Sequence, residues 1–202
     1  MIRHHRQYTP ITCIIGTGTQ HIDTGYKFVN NSYKYRVILS YAKATASGNN
    51  VTHLCGSQSS TLTLWHAGYT DANNSYSTQY YIGGTPQIKW IADYDLQKHL
   101  IDFTTQNNTS ILAVDGNATT PNYSSTIVSN ANFYIFASSK GSVVALAKKT
   151  AMKLYYCKIY ENDVLVRDFI PVLDQNNVAC LYDRVSKTFY YNAGTGTFGY
   201  EI

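Results

Sequence analysis

Apolar residues along this chain recur at every second position or in short runs, and clusters of Gly, Asn, Asp and Ser separate them. This two-residue period and the abundance of Ile, Val, Thr, Tyr and Phe are typical of β-strands. Predicted strands span residues 11–15, 33–41, 51–55, 62–66, 79–82, 99–104, 111–114, 132–137, 153–160, 164–172, 178–182 and 188–191. Their close spacing leaves no room for crossover helices, so we expect an all-β, two-sheet antiparallel sandwich. Only residues 143–150 could hold a short helix.

Two tight turns are predicted from local sequence. Asn162-Asp163 separates two β-rich runs, and Asp115-Gly116 is a strong signal for a hairpin turn with positive φ. The chain should therefore reverse direction at both places.

The strand predicted at 153–160 is apolar or aromatic on both faces. Strict alternation assigns Leu154, Tyr156 and Tyr160 to one face, and Tyr155, Cys157 and Ile159 to the other. Such a strand suits the inside of a two-layer structure.

Length and charge narrow the class of protein. A chain of 202 residues suits one domain, and its charged fraction of 14% is too low for disorder by self-repulsion. No apolar run approaches the ~18 residues that span a bilayer, and no apolar stretch follows the basic start as a secretion signal requires. We therefore expect no membrane insertion and no export by the usual route.

The net charge is +4, and the basic residues are dense at one place only, Arg3-His4-His5-Arg6. It predicts a basic docking arm over residues 1–10, ahead of a single domain at 11–202, although a frayed terminus explains the same residues. Nucleic-acid binding is not expected, because no basic stripe interleaved with aromatics is visible.

The four cysteines are far apart in sequence and lie inside apolar runs: Cys13, Cys55, Cys157 and Cys180. This spacing forms neither a metal knuckle nor a redox pair. We expect free, buried thiols in a protein that folds in a reducing cytosol.

Two glycine-rich runs resemble phosphate loops only superficially. Residues 194–199 fit G-x-G-x-x-G, but no helix can follow to bind a pyrophosphate, and residues 16–19 lack the lysine of a phosphate loop. Both are predicted to be glycine turns, and no cofactor is expected.

Candidate catalytic and metal-binding residues are few. Asp93 and Asp95 would share one strand face about 7 Å apart, as a glycosidase pair could, but solvated carboxylates at a turn or strand end are the favoured interpretation. His53 and Cys55 could face the same way, but two ligands do not make a zinc site. We predict no catalytic residue and no metal site.

Aromatic residues make up 14% of the chain and include nineteen tyrosines. Several are dense in the middle third among Asn, Thr and Ser, where they could form a sugar-stacking platform or pack within a sheet. The glycan-binding candidates are Trp65, Tyr69, Tyr76, Tyr81 and Trp90.

Three segments together carry a family resemblance. They are IIGTGTQHIDTGY at 14–26, KLYYCKIYENDVLVRDFIP at 153–171 with YIFA at 134–137 before it, and LYDRVSKTFYYNAGTGTF at 181–198. They resemble concanavalin A-like, laminin G-like domains of bacteriophage structural proteins and gut-bacterial surface proteins. Cys13, Arg184 and Tyr191 depart from that pattern, where the family often has Tyr, Leu and Gly. Residues 35–130 follow no pattern of the family.

The resemblance implies a two-sheet jelly roll without catalysis, because the Glu-x-Asp-x-x-Glu strand of hydrolases on this fold and the calcium loops of plant lectins are not visible. It favours a virion protein, either a head decoration or a tail appendage, that is assembled in the host cytoplasm and adheres to host-surface glycans. Its partners would be other capsid or tail proteins and further copies of itself. The alternatives are a bacterial carbohydrate-binding module and a degenerate glycoside hydrolase.

Overall fold

The computed structural model describes residues 8–30, 32–43, 52–58, 62–70, 76–82, 85–91, 96–107, 109–119, 129–140, 143–146 and 151–202. The side chains of residues 43, 52–53, 58–91, 119, 139–140 and 143–146 lie outside that description. No helix of the described residues is long and apolar enough to cross a membrane.

Every regular element in the described part of the chain is a β-strand. The strands are β1 (Tyr8–Pro10), β2 (Cys13–Gly16), β3 (Ile22–Asp23), β4 (Tyr35–Lys43), β5 (Thr52–Gln58), β6 (Leu62–Thr70), β7 (Tyr76–Ile82), β8 (Thr85–Ile91), β9 (His99–Gln106), β10 (Thr109–Val114), β11 (Asn117–Thr119), β12 (Tyr134–Ile135), β13 (Ala137–Lys140), β14 (Val143–Leu146), β15 (Met152–Glu161), β16 (Val164–Asp174), β17 (Ala179–Asp183), β18 (Thr188–Tyr190) and β19 (Gly199–Glu201).

The strands form two antiparallel sheets and a small extra ribbon. The main sheet has the order β11-β10-β9-β4-β15-β16-β17-β18. Strand β1 pairs with β16, and β2 lies between β15 and β19. The second sheet has the order β3-β12-β5-β6-β7-β8, and β13 pairs with β14. The predicted all-β, two-sheet antiparallel sandwich is confirmed.

The core lies between the sheets and is rich in aromatic rings. Alternate residues of β4 point inward, and each is at most 3% exposed: Tyr35, Val37, Leu39 and Tyr41. Phe28 meets the rings of Tyr26, Tyr35 and Phe133 edge to face, with centroids 5.3, 5.0 and 5.7 Å away. Burial of each such side chain stabilises the fold by about 1.5–3 kcal/mol, so this layer holds the sheets together.

Both predicted hairpin turns are present. Asn162 and Asp163 join β15 to β16 with φ values of 49° and 64°. Asp115 and Gly116 join β10 to β11 with φ values of 50° and 80°. Two consecutive residues with positive φ match the right-handed twist of the flanking strands, which is why these dipeptides were informative.

The predicted helix at 143–150 is wrong. Residues 143–146 form β14 and pair with β13, where Lys140 lies opposite Val143 and Ala137 opposite Leu146. The pairing partner decides the outcome, because β-branched Val143 and Val144 fit a strand well once another strand supplies its hydrogen bonds. Residues 147–150 lie outside the described part.

The predicted assignment of side chains to the two faces of β15 is also wrong over half the strand. A β-bulge lies between Leu154 and Tyr156, so Leu154 pairs with Tyr41 and Tyr156 with Ser40 of β4. The extra residue shifts the alternation by one. Leu154, Cys157 and Ile159 therefore face the core, whereas Tyr156, Lys158 and Tyr160 face outward.

The end of the predicted basic arm belongs to the sheet. Tyr8, Thr9 and Pro10 form β1 and pair with Asp174, Leu173 and Val172 of β16. Residues 1–7, which include Arg3, His4, His5 and Arg6, lie outside the described residues. The docking arm itself stays a prediction.

All four cysteines are buried free thiols, as expected: Cys13, Cys55, Cys157 and Cys180. Burial alone raises the pKa of Cys55 to about 12. The thiols therefore act as small apolar side chains of the core.

Candidate functional site: a tyrosine cleft

An open cleft of about 440 Å³ lies beside the edge of the main sheet. The β16–β17 turn, the loop at 191–198 and strand β19 enclose it. We call it the tyrosine cleft; its principal lining residues are Asn177, Val178, Tyr191, Thr197, Phe198 and Tyr200.

Two aromatic rings are presented to solvent in this cleft. Tyr191 is 47% exposed and Tyr200 is 43% exposed, which is unusual for large side chains in a fold with so many buried tyrosines. Tyr191 also lines a smaller depression of about 190 Å³ together with Asp174 and Phe189. Tyr191 is thus common to two neighbouring depressions.

The orientation of Tyr191 is held from two sides. Its hydroxyl donates a hydrogen bond of 3.0 Å to Oδ2 of Asp174, and its ring stacks on Phe189 with centroids 6.2 Å apart and planes 29° apart. Phe189 in turn packs against Tyr182 at 5.0 Å. A ring held in this way loses little conformational freedom when a ligand stacks on it.

Asp174 is a charged acceptor held by the backbone. Its Oδ1 accepts N–H bonds from Val178 at 2.9 Å and from Asn176 at 2.8 Å, which closes the turn between β16 and β17. The backbone N–H of Val178 contributes most to lowering the pKa of Asp174, and Asn176 and Tyr191 lower it further. Burial of the hydroxyl and its bond to Asp174 raise the pKa of Tyr191, so Tyr191 remains the donor.

The back of the cleft is a contact between two glycine-rich loops, Gly16–Gln20 and Asn192–Thr197, which we call the glycine clasp. The Thr195 N–H donates to the Thr19 carbonyl at 3.1 Å, and the Thr19 hydroxyl donates to the Thr195 carbonyl at 3.1 Å. A Cβ on Gly194 would lie 2.1 Å from the Thr19 carbonyl oxygen, so only glycine fits. The Gly-Thr-Gly-Thr runs that resemble phosphate loops are therefore one structural contact.

Asn192 holds the clasp in place. Its Oδ1 accepts the N–H groups of His21 at 3.1 Å and Gly194 at 2.9 Å, and its Nδ2 donates to the Gly196 carbonyl at 2.9 Å. The Asn192 amide is therefore occupied, and it acts on a ligand only by fixing the wall of the cleft.

Other polar groups at the cleft are available to a ligand. Within the described residues, neither the side-chain amide of Asn177 nor the hydroxyl of Thr197 has a hydrogen-bond partner, and both residues are exposed. All side chains that line the larger depression are uncharged. Exposed rings beside a neutral amide and a hydroxyl match a sugar, which offers an apolar C–H face and hydroxyl groups around it.

Sequence reasoning missed Tyr191 and Tyr200. One signal was available for Tyr191, because it stands where the pattern that the sequence resembles has Gly.

The predicted stacking residues lie on β6, β7 and β8 of the second sheet. The pairing register places Trp65 opposite Tyr81, Trp90 opposite Ser77, and Tyr76 opposite Thr70. The side chains of these residues and of Tyr69 lie outside the description, so the platform stays a prediction.

Most of the candidate catalytic and metal-binding side chains fall outside the description. Asp93 and Asp95 lie outside the described residues, as does the side chain of His53. The backbone of β5 has a register shift between His53 and Cys55. Within the described ranges, no three His, Cys, Asp or Glu side chains form a group that could hold a metal ion.

No family model matches this chain, and no curated protein matches it. Among solved structures, it is similar to a SAP-like pentraxin from Limulus polyphemus, with 8% identity over 77% of each chain and a TM-score of 0.52. The alginate lyase AlyC3 gives 9% identity over 70% of this chain and 69% of the lyase, with a TM-score of 0.49. Tailspike protein 2 of the Escherichia coli O157:H7 bacteriophage CAB120 gives 12% identity over 78% of this chain and 26% of the tailspike, with a TM-score of 0.46. The similarity to the pentraxin concerns the fold alone: the chain is an all-β, two-sheet antiparallel jelly-roll sandwich.

Proposed function

We propose that this chain is a non-enzymatic, glycan-binding structural protein of a bacteriophage particle, and that neutral glycans bind in the tyrosine cleft. The observation that carries the binding role is the pair of exposed rings, Tyr191 and Tyr200, at an uncharged cleft of about 440 Å³. That volume lies within the range of small-ligand sites, roughly 300–1,000 Å³.

The chemistry of the cleft favours binding over catalysis. Hydrolysis of a glycosidic bond needs two carboxyl groups on either side of that bond. The larger depression has an uncharged lining, and the nearby Asp174 uses both carboxylate oxygens within the fold. A ligand held there meets stacking surfaces and hydrogen-bonding groups, which suffice for recognition.

The virion role rests on the three segments that resemble phage structural domains. In this proposal the protein assembles in the host cytoplasm with other capsid or tail proteins or further copies of itself, and residues 1–7 contribute Arg3 and Arg6 to that contact. A bacterial carbohydrate-binding module would use the same cleft. Detection of the chain in purified phage particles by mass spectrometry would support the virion role, whereas its recovery from a bacterial surface alone would support the module.

The binding role is tested by titration calorimetry with trisaccharides of glucose, galactose, mannose and N-acetylglucosamine. At least one should bind, and Tyr200→Ala should weaken its affinity about tenfold or more, because exposed aromatic anchors carry much of the energy at binding sites. Tyr191→Phe should weaken binding less than Tyr191→Ala, because the ring stays and only its bond to Asp174 is lost.

Val164→Ala is the matched control, since Val164 is 64% exposed on a different hairpin. Its affinity should equal that of the unchanged protein. If no trisaccharide binds, or if Trp90→Ala abolishes binding while Tyr200→Ala does not, the cleft is not the glycan site.

A further inference from the structure

Three tyrosines form a row along the outer face of the main sheet. Tyr155, Tyr156 and Tyr160 lie on β15 and are partly exposed, and Leu154, Cys157 and Ile159 point the opposite way into the core. The β-bulge brings Tyr155 beside Tyr156 on this outer side. We call these residues the outer tyrosine row; with Lys153 at its end it is about 23 Å long.

Each ring of the row has a cation over it. The Lys98 ammonium is 4.4 Å from the centroid of Tyr155, and the Lys158 ammonium is 5.8 Å from that of Tyr156. The Arg36 guanidinium is 5.9 Å from the Tyr160 centroid. Tyr156, Lys158 and Tyr160 occupy alternate positions, so aromatic and positively charged groups alternate along one side of the strand.

Three carboxylates near this face, in the part of the chain that is described, each accept from a cation, although Oδ1 of Asp168 has no hydrogen-bond partner there. Arg36 binds Asp102 at 2.8 Å, and Lys153 binds Glu201 at 2.5 Å. Asp168, which lies opposite Lys158 in the register, accepts from Arg184 at 2.7 and 2.8 Å.

Lys98 and Lys158 remain as the excess positive charge. Within the described part of the chain, neither lies within 4 Å of a carboxylate oxygen. Their ammonium groups sit beside rings instead, where a cation keeps its charge available to an approaching anion.

A shallow groove of about 580 Å³ continues the row across β4, β9 and β10. Arg36 lies over Tyr160 of the row and also lines the groove, and Thr104, Gln106 and Thr109 supply polar groups along the groove. The whole surface is open and elongated, so it suits a chain that lies across it better than a compact ligand.

We propose that this surface binds an anionic polysaccharide, with its acidic groups at Lys98 and Lys158 and its sugar units along the exposed parts of the outer tyrosine row that the cations leave open. This site is separate from the tyrosine cleft and takes a ligand of different charge. A nucleic acid fits less well, because its affinity depends on the number of phosphates neutralised and most cations here are already paired.

The test measures binding to immobilised polygalacturonate, dextran sulfate, neutral dextran and oligo(dT) at low and high salt. Polygalacturonate or dextran sulfate should bind and dextran should not, and binding should weaken at high salt because exposed charges are screened. The comparison of the two polyanions tells whether carboxylate or sulfate is preferred.

The double variant Lys98→Gln/Lys158→Gln should reduce affinity for the polyanion about tenfold, since each exposed ion pair contributes up to about fivefold. Lys27→Gln/Lys187→Gln is the matched control, because it removes the same charge at exposed positions in loops away from this surface. Equal thermal unfolding of both double variants would establish that folding is unchanged.

Four results would overturn the proposal: no polyanion binds at low salt, dextran binds equally well, both double variants weaken binding equally, or oligo(dT) binds more tightly than either polyanion. Tyr200→Ala should leave polyanion binding unchanged, so failure here and failure of the tyrosine cleft are distinguishable.

Discussion

Gly194 sits where any side chain would strike the opposite loop. A Cβ there would lie 2.1 Å from the Thr19 carbonyl oxygen, and that atom cannot move without breaking its bond to the Thr195 N–H. We expect Gly194→Ala to lower the free energy of unfolding by roughly 1–3 kcal/mol, as overpacking of a close contact does. Urea unfolding followed by tyrosine fluorescence measures the change.

Gly199→Ala is the control at residue scale. Its Cβ would meet Ile15 at 3.4 Å, an ordinary contact, and its φ lies outside the left-handed region. Alanine lowers the conformational entropy of the unfolded chain. The change should therefore leave the free energy of unfolding unaltered or raise it by up to about 1 kcal/mol. If the two variants lowered the free energy of unfolding equally, the glycine clasp would not be rigid.

Residue-scale features were predictable where the cause is local. Asn and Asp tolerate positive φ better than other residues that have a side chain. The turn at Asn162 and Asp163 could therefore be predicted from sequence. The role of Tyr191 was not predictable in this way, because it depends on Asp174, which lies 17 residues earlier and meets it only in the folded sheet.

The bulge in β15 shows what the hydrophobic pattern can and cannot predict about an element. Residues 153–160 are apolar or aromatic on both faces, so either alternation looks equally good and the position of an extra residue is not visible. Pairing with β4 places that residue at Tyr155. The existence of the strand could therefore be predicted, but the side to which each tyrosine points could not.

Deleting Tyr155 should consequently be tolerated. Leu154 and Cys157 would keep their inward positions with one outward residue between them, and the pairing of β15 with β4 would become regular. Deleting Lys158 should prevent folding, because every residue on one side of the gap would turn to the wrong face. Thermal unfolding by circular dichroism distinguishes the two, and equally severe loss in both would contradict the bulge assignment.

At the scale of the whole molecule, the sandwich isolates its thiols from solvent. Burial, with the neighbouring Glu201 carboxylate, raises the pKa of Cys13 to about 11, and burial raises that of Cys180 to about 12. At pH 8 only about one Cys13 thiol in a thousand would be ionised, and the thiolate is the reactive form.

All four thiols should therefore resist an aromatic disulfide reagent in the folded protein and react completely in denaturant without reductant. Val164→Cys, at an exposed position, should add one fast-reacting thiol and serves as the positive control. Two or fewer reactive thiols after denaturation would reveal disulfide bonds and an oxidising compartment.

The place of β2 between β15 and β19 has a consequence for synthesis on the ribosome. Cys13 and Ile14 are fully buried, yet their strand partners begin at Met152 and Gly199. At translation rates of about 5–20 residues per second, β2 emerges roughly 7–30 s before β15 exists. During that interval the apolar strand β2 has neither of its two partner strands to pair with. We therefore expect the yield of folded protein to rise when chaperones that cover exposed apolar strands are co-expressed.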